Sequence, residues 1–162
     1  MFKNSLLTLA ALSTCLISSS LTATPVRLNS YTELVQALKN GHRVNSIMDF
    51  KKCELAGGDN NTDVEFDAMG MSFNQGFFLI NKLKGESQFA VGAIATNTIP
   101  RLTEGAVNRY KLIRVFEDNT VIQRAIMSDT QTGKILGWSE YACKLSNGND
   151  QNGVSLFDYD VN

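Results

Sequence analysis

Hydrophobic and polar positions divide the chain into one helical stretch and a series of alternating ones. Tyr31, Leu34, Val35 and Leu38 recur at helical spacing. Ser30 stands before them and Glu33 three positions later, the pattern of a capping box in which hydroxyl and carboxylate each satisfy a free amide. Gly41 suits the left-handed residue that ends a helix, and Lys39 complements its negative end. These signals predict a helix over about Tyr31–Asn40, too short to stand without packing on something else.

The remaining pattern is β. Val44–Phe50 alternates, with Val44, Met48 and Phe50 on one side; Phe77–Leu83 is an apolar run; Phe89, Val91, Ala93 and Ala95 alternate. In Val107–Phe116 the residues Tyr110, Leu112 and Phe116 share one face, and Ile113 and Val115 the other. Asn119 in the turn 117–120 tolerates positive φ, Val121–Met127 returns, Asp129–Gly133 turns again, and Ile135–Cys143 is a further strand. Such short polar connections predict antiparallel hairpins rather than parallel crossovers. Apolar residues on both faces of several strands point to closure or strong curling. The expectation is an α+β fold, with a short N-terminal helix packed on a curled antiparallel sheet or a small β-barrel. The segments 59–63 and 146–153 are rich in Gly, Asn and Asp and read as exposed loops.

The chain opens differently. Lys3 precedes the apolar, hydroxyl-dotted run Leu6–Leu21, and Ala23 offers a small residue before Thr24-Pro25. A basic start, a short apolar centre and a small-residue exit predict a secretory signal peptide over residues 1–23, with cleavage after Ala23 or after Ser20. Residues 24–162 then form a single domain. The apolar run is short for a membrane span, and no later stretch approaches one, so no transmembrane segment is expected in the mature form. Leu12-Ser13-Thr14-Cys15 resembles a lipoprotein processing site, but Thr14 fits poorly and the run stays apolar through Leu16-Ile17.

Removal of the leader takes Cys15 with it and leaves Cys53 and Cys143. An even pair in an exported chain reads as a disulfide. A thiol nucleophile or metal ligand is the alternative; the first needs a base, for which His42 is the single histidine, and the second needs more soft ligands.

Other motifs are fragments. His42 follows the helix end, where an imidazolium is favoured; it is otherwise a candidate acid or base. Gly70-Met71-Ser72 and Gly137-Trp138-Ser139 begin like nucleophile elbows but lack the second glycine and a following helix. Asp59, Asn61, Asp63 and Glu65 resemble the opening of a calcium loop, with Val64 where glycine is needed and Gly70 where the closing glutamate belongs. Phe77, Phe78, Phe89, Tyr110, Phe116, Trp138 and Tyr141 are either core or the lining of a ligand pocket. No catalytic, cofactor-binding or metal-binding residues are assigned.

The stretch Ser30–Cys53 resembles the start of the bacterial VirK family. Tyr31, Leu34, Ala37, Leu38 and Gly41 match a helix of the form Tyr-x-x-Leu-x-x-Ala-Leu-x-x-Gly. Asp49 and Cys53 match a strand ending in Asp-Leu-x-x-Cys, with Phe50 in place of its leucine, and Glu140-Tyr141-Ala142-Cys143 is similar to the family's second cysteine segment. The resemblance implies an exported, virulence-associated bacterial protein with no established enzymatic activity. It supplies no catalytic residues, and it supports pairing Cys53 with Cys143.

Composition narrows the function classes. Of 162 residues, 43% are hydrophobic, and 15 basic side chains face 16 acidic ones. Disorder is disfavoured at that apolar content, and no basic excess exists to drive nucleic-acid binding. Together with the leader pattern and the resemblance, which implies the virulence association, the expected function is that of a secreted or periplasmic, non-enzymatic virulence-associated protein that interacts with host or envelope components. No cofactor is expected, and the partner is an unidentified protein or small ligand. The alternatives are a small-molecule-binding β-barrel carrier and a carboxylate-dependent hydrolase.

Overall fold

The computed structural model describes residues 24–59, 67–73, 77–83, 86–101 and 105–160, and of 77–83, 86–88 and 101 the backbone alone. The signal-peptide segment and Cys15 lie outside the described residues. In chain order the elements are β1 (Val26–Leu28), α1 (Tyr31–Lys39), β2 (Val44–Asp49), a 3-10 turn (Phe50–Lys52), β3 (Glu54–Gly58), β4 (Ala68–Ser72), β5 (Phe77–Leu83), β6 (Glu86–Arg101), β7 (Gly105–Phe116), β8 (Thr120–Asp129), β9 (Ile135–Lys144) and β10 (Val154–Asp158).

The strands form two antiparallel sheets. One has the order β1-β10-β2-β4 and the other β3-β9-β8-β7-β6-β5. This corrects the α+β expectation: the described chain is mostly β, with one helix, and neither sheet closes into a barrel. The apolar residues on both strand faces had suggested closure. One face of the six-stranded sheet instead supplies the core, and the other remains a surface. Four strands fall outside the sequence expectation, namely β1, β3, β4 and β10. Three of them join β2 to make the smaller sheet.

A single core lies between the two sheets and the helix. It joins Leu34 and Ala37 of α1 with Val44 and Met48 of β2, Val91 and Ala93 of β6, Ile113 and Val115 of β7, Val121 of β8, and Val154 and Leu156 of β10. The helix is capped at Ser30, whose Oγ accepts from the Glu33 amide at 3.2 Å. The Glu33 carboxylate reaches one residue further back than a capping box requires and accepts from the Asn29 amide at 2.7 Å. At the other end Gly41 takes φ +80°, and the Gly41 and His42 amides donate to Leu38 and Ala37. Asn119, the one described non-glycine residue at positive φ, turns β7 into β8 and also holds the helix. Its side-chain oxygen accepts from the Tyr31 amide at 2.7 Å, and its carbonyl accepts from the Leu145 amide at 2.9 Å.

The sheets meet at a disulfide. Cys53 follows the 3-10 turn at the end of β2 and is bonded to Cys143 of β9 across a separation of 90 residues. The next residue, Glu54, begins β3 and pairs with Ala142 of β9. The chain thus leaves the small sheet and enters the large one within a few residues, beside the covalent link. Gly153 packs on this junction: the Asp49 backbone amide donates to the Gly153 carbonyl at 2.8 Å, and a Cβ at Gly153 would lie 2.6 Å from the Cys53 sulfur. The segment 146–153, expected as an exposed loop, is therefore partly a packing element, with Ser146 buried as well.

Two outcomes are expected. Replacing both cysteines, Cys53→Ala with Cys143→Ala, frees a long loop in the unfolded chain and lowers stability by about 4 kcal/mol in the chain-entropy account. Chemical denaturation of wild type and variant measures it. Gly153→Ala overpacks the junction and costs about 1–3 kcal/mol, read as a lower melting temperature with the disulfide intact.

Candidate recognition face

Register fixes which side chains of the six-stranded sheet share a face. On the inner face Ala93, Ile113, Gln123 and Tyr141 stand opposite one another from β6 to β9. Tyr141 packs on Phe50 with ring centroids 4.6 Å apart. Towards the other end of this face Lys111 and Arg109 follow on β7. Burial lowers the pKa of both, and for Lys111 the neighbouring Arg109 charge adds to the effect.

The outer face carries a different set. Thr96, Tyr110, Ile126 and Trp138 form one row straight across β6, β7, β8 and β9. The adjacent row is Ile94, Leu112, Arg124 and Glu140. Tyr110 is 46% exposed, Ile94 52% and Ile135 61%. Such side chains side by side are unusual on a surface that serves only solubility. Arg124 donates to Glu140 at 2.7 Å, and its guanidinium lies 5.6 Å from the Trp138 ring centroid. Arg114 approaches the same carboxylate at 3.8 Å. Trp138 settles against Gly57 of β3, where a Cβ would come within 3.0 Å of the indole Cη2. Two clefts open on this face: one of about 340 Å³ lined by Arg124, Ile126, Ile135 and Trp138, and one of about 270 Å³ lined by Thr96, Asn97, Thr98, Asn108 and Tyr110.

The other residues singled out in the sequence go elsewhere. His42 ends the helix, and its Nδ1 lies 2.7 Å from Oδ2 of Asp158, a carboxylate 3% exposed on β10. Arg43 grips Asp160 through side chain and backbone amide, with contacts down to 2.6 Å. These hydrogen bonds hold the Asp160 carboxyl down at about 2. Ser72 is the last residue of β4, and Ser139 lies inside β9 rather than at a strand-to-helix turn. Of the calcium-loop residues, Asn61, Asp63 and Glu65 lie outside the described residues, and Asp59 follows β3 with its amide donating to the Trp138 carbonyl. The aromatics divide: Phe116 is buried, Phe89 is exposed, Tyr141 is partly buried against the core, and Phe77 and Phe78 are placed on β5 by backbone alone. Among the described residues no group of three or more His, Cys, Asp or Glu side chains is disposed to hold a metal ion, and no helix is long and apolar enough to cross a membrane. Arg124, Ile126 and Thr96 were not singled out from the sequence. The outward alternation of Ile122, Arg124 and Ile126 along β8 is the signal that marks them.

No protein-family model matches the chain, and no curated protein matches its sequence. Among solved structures it is similar to the crystal structure of lpg1832, a VirK family protein from Legionella pneumophila, with a TM-score of 0.59 over 82% of this chain and 98% of that one. The fold is VirK-like. The two sequences are 16% identical, so the likeness is one of architecture. It agrees with the resemblance carried by Ser30–Cys53, the segment that in this VirK-like fold forms the helix, β2 and the disulfide junction.

The Arg43–Asp160 pair gives a pH expectation. A carboxyl held near 2 in the fold and near 3.9 when unfolded favours folding above about pH 4, and that contribution is lost as pH falls through about 2. Asp160→Asn is expected to melt slightly below wild type at pH 6, with the two melting temperatures converging by about pH 2. Both groups face solvent, so the gap at pH 6 is small and shrinks with salt.

Proposed function

We propose that this chain is an exported, non-enzymatic recognition protein, virulence-associated in the sense the VirK resemblance implies, whose outer sheet face binds host or envelope components. Residues 1–23 act as the cleaved leader, and residues 24–162 work outside the cytosol as one disulfide-bonded domain. The observation that carries the reading is the cross-strand row Tyr110–Ile126–Trp138 with Arg124 beside it. Aromatic side chains and arginine dominate binding hot spots because they bury large area at little entropy cost and keep a polar handle. A rigid sheet presents them in fixed order.

Further support comes from the chemistry of the polar groups. His42 is engaged with Asp158, Arg43 with Asp160, and Arg124 with Glu140, each pair linking neighbouring strands or segments. Their geometry serves tethering. The leader pattern and a disulfide spanning 90 residues support export, since such a link persists in oxidising compartments. A barrel carrier has no lumen in this fold, because the large sheet ends in the separate edges β3 and β5.

The test is to express the full chain in a bacterial host, recover it from periplasm and medium, and measure its retention on envelope and host-cell surface fractions. The reading expects a processed form without free thiols, retained by at least one fraction. It expects Trp138→Ala with Arg124→Ala to weaken retention about ten-fold or more while the fold persists. Unprocessed cytosolic protein, or retention unchanged by both substitutions, contradicts it.

A further inference from the structure

The geometry points to a self-modifying site at Asn147: its carboxamide is converted to a carboxylate through a cyclic imide with Gly148, and the fold selects this asparagine over equivalent ones. Three Asn-Gly pairs occur in the chain, Asn40-Gly41, Asn147-Gly148 and Asn152-Gly153. Glycine is the most permissive neighbour for this reaction, since no Cβ obstructs ring closure. The glycine nitrogen gives its proton to hydroxide and attacks the asparagine Cγ. The Cγ–Nδ2 bond breaks, and that nitrogen leaves as ammonia with a proton from water, which regenerates the hydroxide. Water then opens the imide at either carbonyl and leaves aspartate or its isoaspartyl isomer. Water is the other reactant consumed, and nothing is oxidised or reduced.

Ring closure is intramolecular, so its rate follows how the two groups are held. Asn147 is exposed, near the start of the loop between β9 and β10. Its Oδ1 accepts from the Asn149 amide at 3.0 Å, which folds the carboxamide back over the intervening Gly148 nitrogen. The same hydrogen bond polarises the Cγ carbonyl and stabilises the negative charge that gathers on Oδ1 during attack. The Gly148 amide donates to the Ser146 hydroxyl at 3.1 Å. A hydroxyl also donates, so it can turn its own hydrogen to the nitrogen once the proton has left. The Arg27 guanidinium adds positive charge alongside, its Nε 3.4 Å from where a Cβ on Gly148 would stand. Among the described residues no hydrogen bond restrains the departing Nδ2.

The other two pairs are held away from reaction. Asn152 donates from Nδ2 to the Leu145 carbonyl at 3.0 Å and to the Asp150 carboxylate at 3.1 Å. Both hydrogens of that nitrogen are thereby engaged, and turning the carboxamide toward Gly153 would break both bonds. Gly153 is itself buried against the Cys53 sulfur. Asn40 ends the helix with ψ −3°. Its Oδ1 accepts from the Gln36 side chain at 3.0 Å, which draws the carboxamide back along the helix. The Gly41 amide donates to the Leu38 carbonyl at 3.1 Å, and a carbonyl has no hydrogen to return to an ionised nitrogen. Conversion at Asn147 sets a new carboxylate close to Asp150, whose Oδ2 accepts from the Asn147 amide at 3.1 Å. The isoaspartyl isomer also lengthens the backbone of this loop, which runs from the Cys143 strand to the Gly153 packing point.

The test follows the purified protein at mildly alkaline pH, folded in buffer and, in parallel, unfolded in denaturant with its disulfide intact. Samples taken over time are resolved by ion exchange and by peptide mass mapping, and isoaspartyl methyltransferase labelling marks the isomer. The tryptic peptide after Lys144 carries both Asn147 and Asn152, so fragmentation assigns the residue. In the folded protein the first acidic form is expected to be modified at Asn147, which converts about ten-fold or more faster than Asn40 and Asn152. In denaturant the three rates are expected to draw together, because the hydrogen bonds that separate them are gone. Asn147→Ser removes the early acidic form, and Asn147→Asp elutes with it from the outset. Similar rates at the three sites in the folded protein, earlier conversion at Asn40 or Asn152, or no conversion at Asn147 while the unfolded chain converts overturns the proposal.

Discussion

The structure depends on one junction. Within ten residues the chain finishes β2 in the small sheet, makes a 3-10 turn, forms the bond from Cys53 to Cys143 and starts β3 on the edge of the large sheet. Neither sheet buries its apolar face alone: the core takes residues from both and from α1. The covalent link holds the sheets where their inner faces meet, and Gly153 gives the sulfur room. Other ties run between the layers, such as the Ser146 amide donating to the Val154 carbonyl at 2.6 Å; the junction is the covalent one among them.

That frame leaves the outer face of the large sheet available. Strands β6 to β9 form a meander, and the described turns fix the register of the pairs they join. Asn119 at φ 61° sets β7 against β8, Gly133 at φ 71° helps set β8 against β9, and the register shift at Met127/Ser128 ends the regular pairing there. A one-residue slip in any pair would send Tyr110, Ile126 or Trp138 to the core side and break the row. Recognition by this face therefore inherits its precision from turns that lie outside it.

How much of this was legible in the sequence differs by element. Ser30, Glu33 and Gly41 write the helix plainly, and the long alternations of β7 and β8 with Asn119 between them write the meander. The short strands were hidden for physical reasons. Glu54–Gly58 carries two glycines and one large apolar residue, Val26–Leu28 is three residues long, and Val154–Asp158 follows a polar stretch that reads as loop. Each becomes a strand because a neighbour offers a ladder, which is tertiary information. The same blindness produced the barrel expectation. Apolar residues on both faces of a strand can mean two packed sides or one packed side and a binding surface, and periodicity does not separate them. Tyr110 and Trp138 were visible as aromatic residues, but their alignment with Ile126 and Arg124 follows only from register.

Hydrogen exchange of wild type against the Cys53→Ala, Cys143→Ala variant tests the coupling of the two sheets most directly. If the junction holds both layers around one core, protection falls together in β2, β10, β3 and β9, on both sides of the missing link, with the β6–β7–β8 meander the last to open. Loss of protection confined to residues 50–58 would make the bond a local clip and contradict the account.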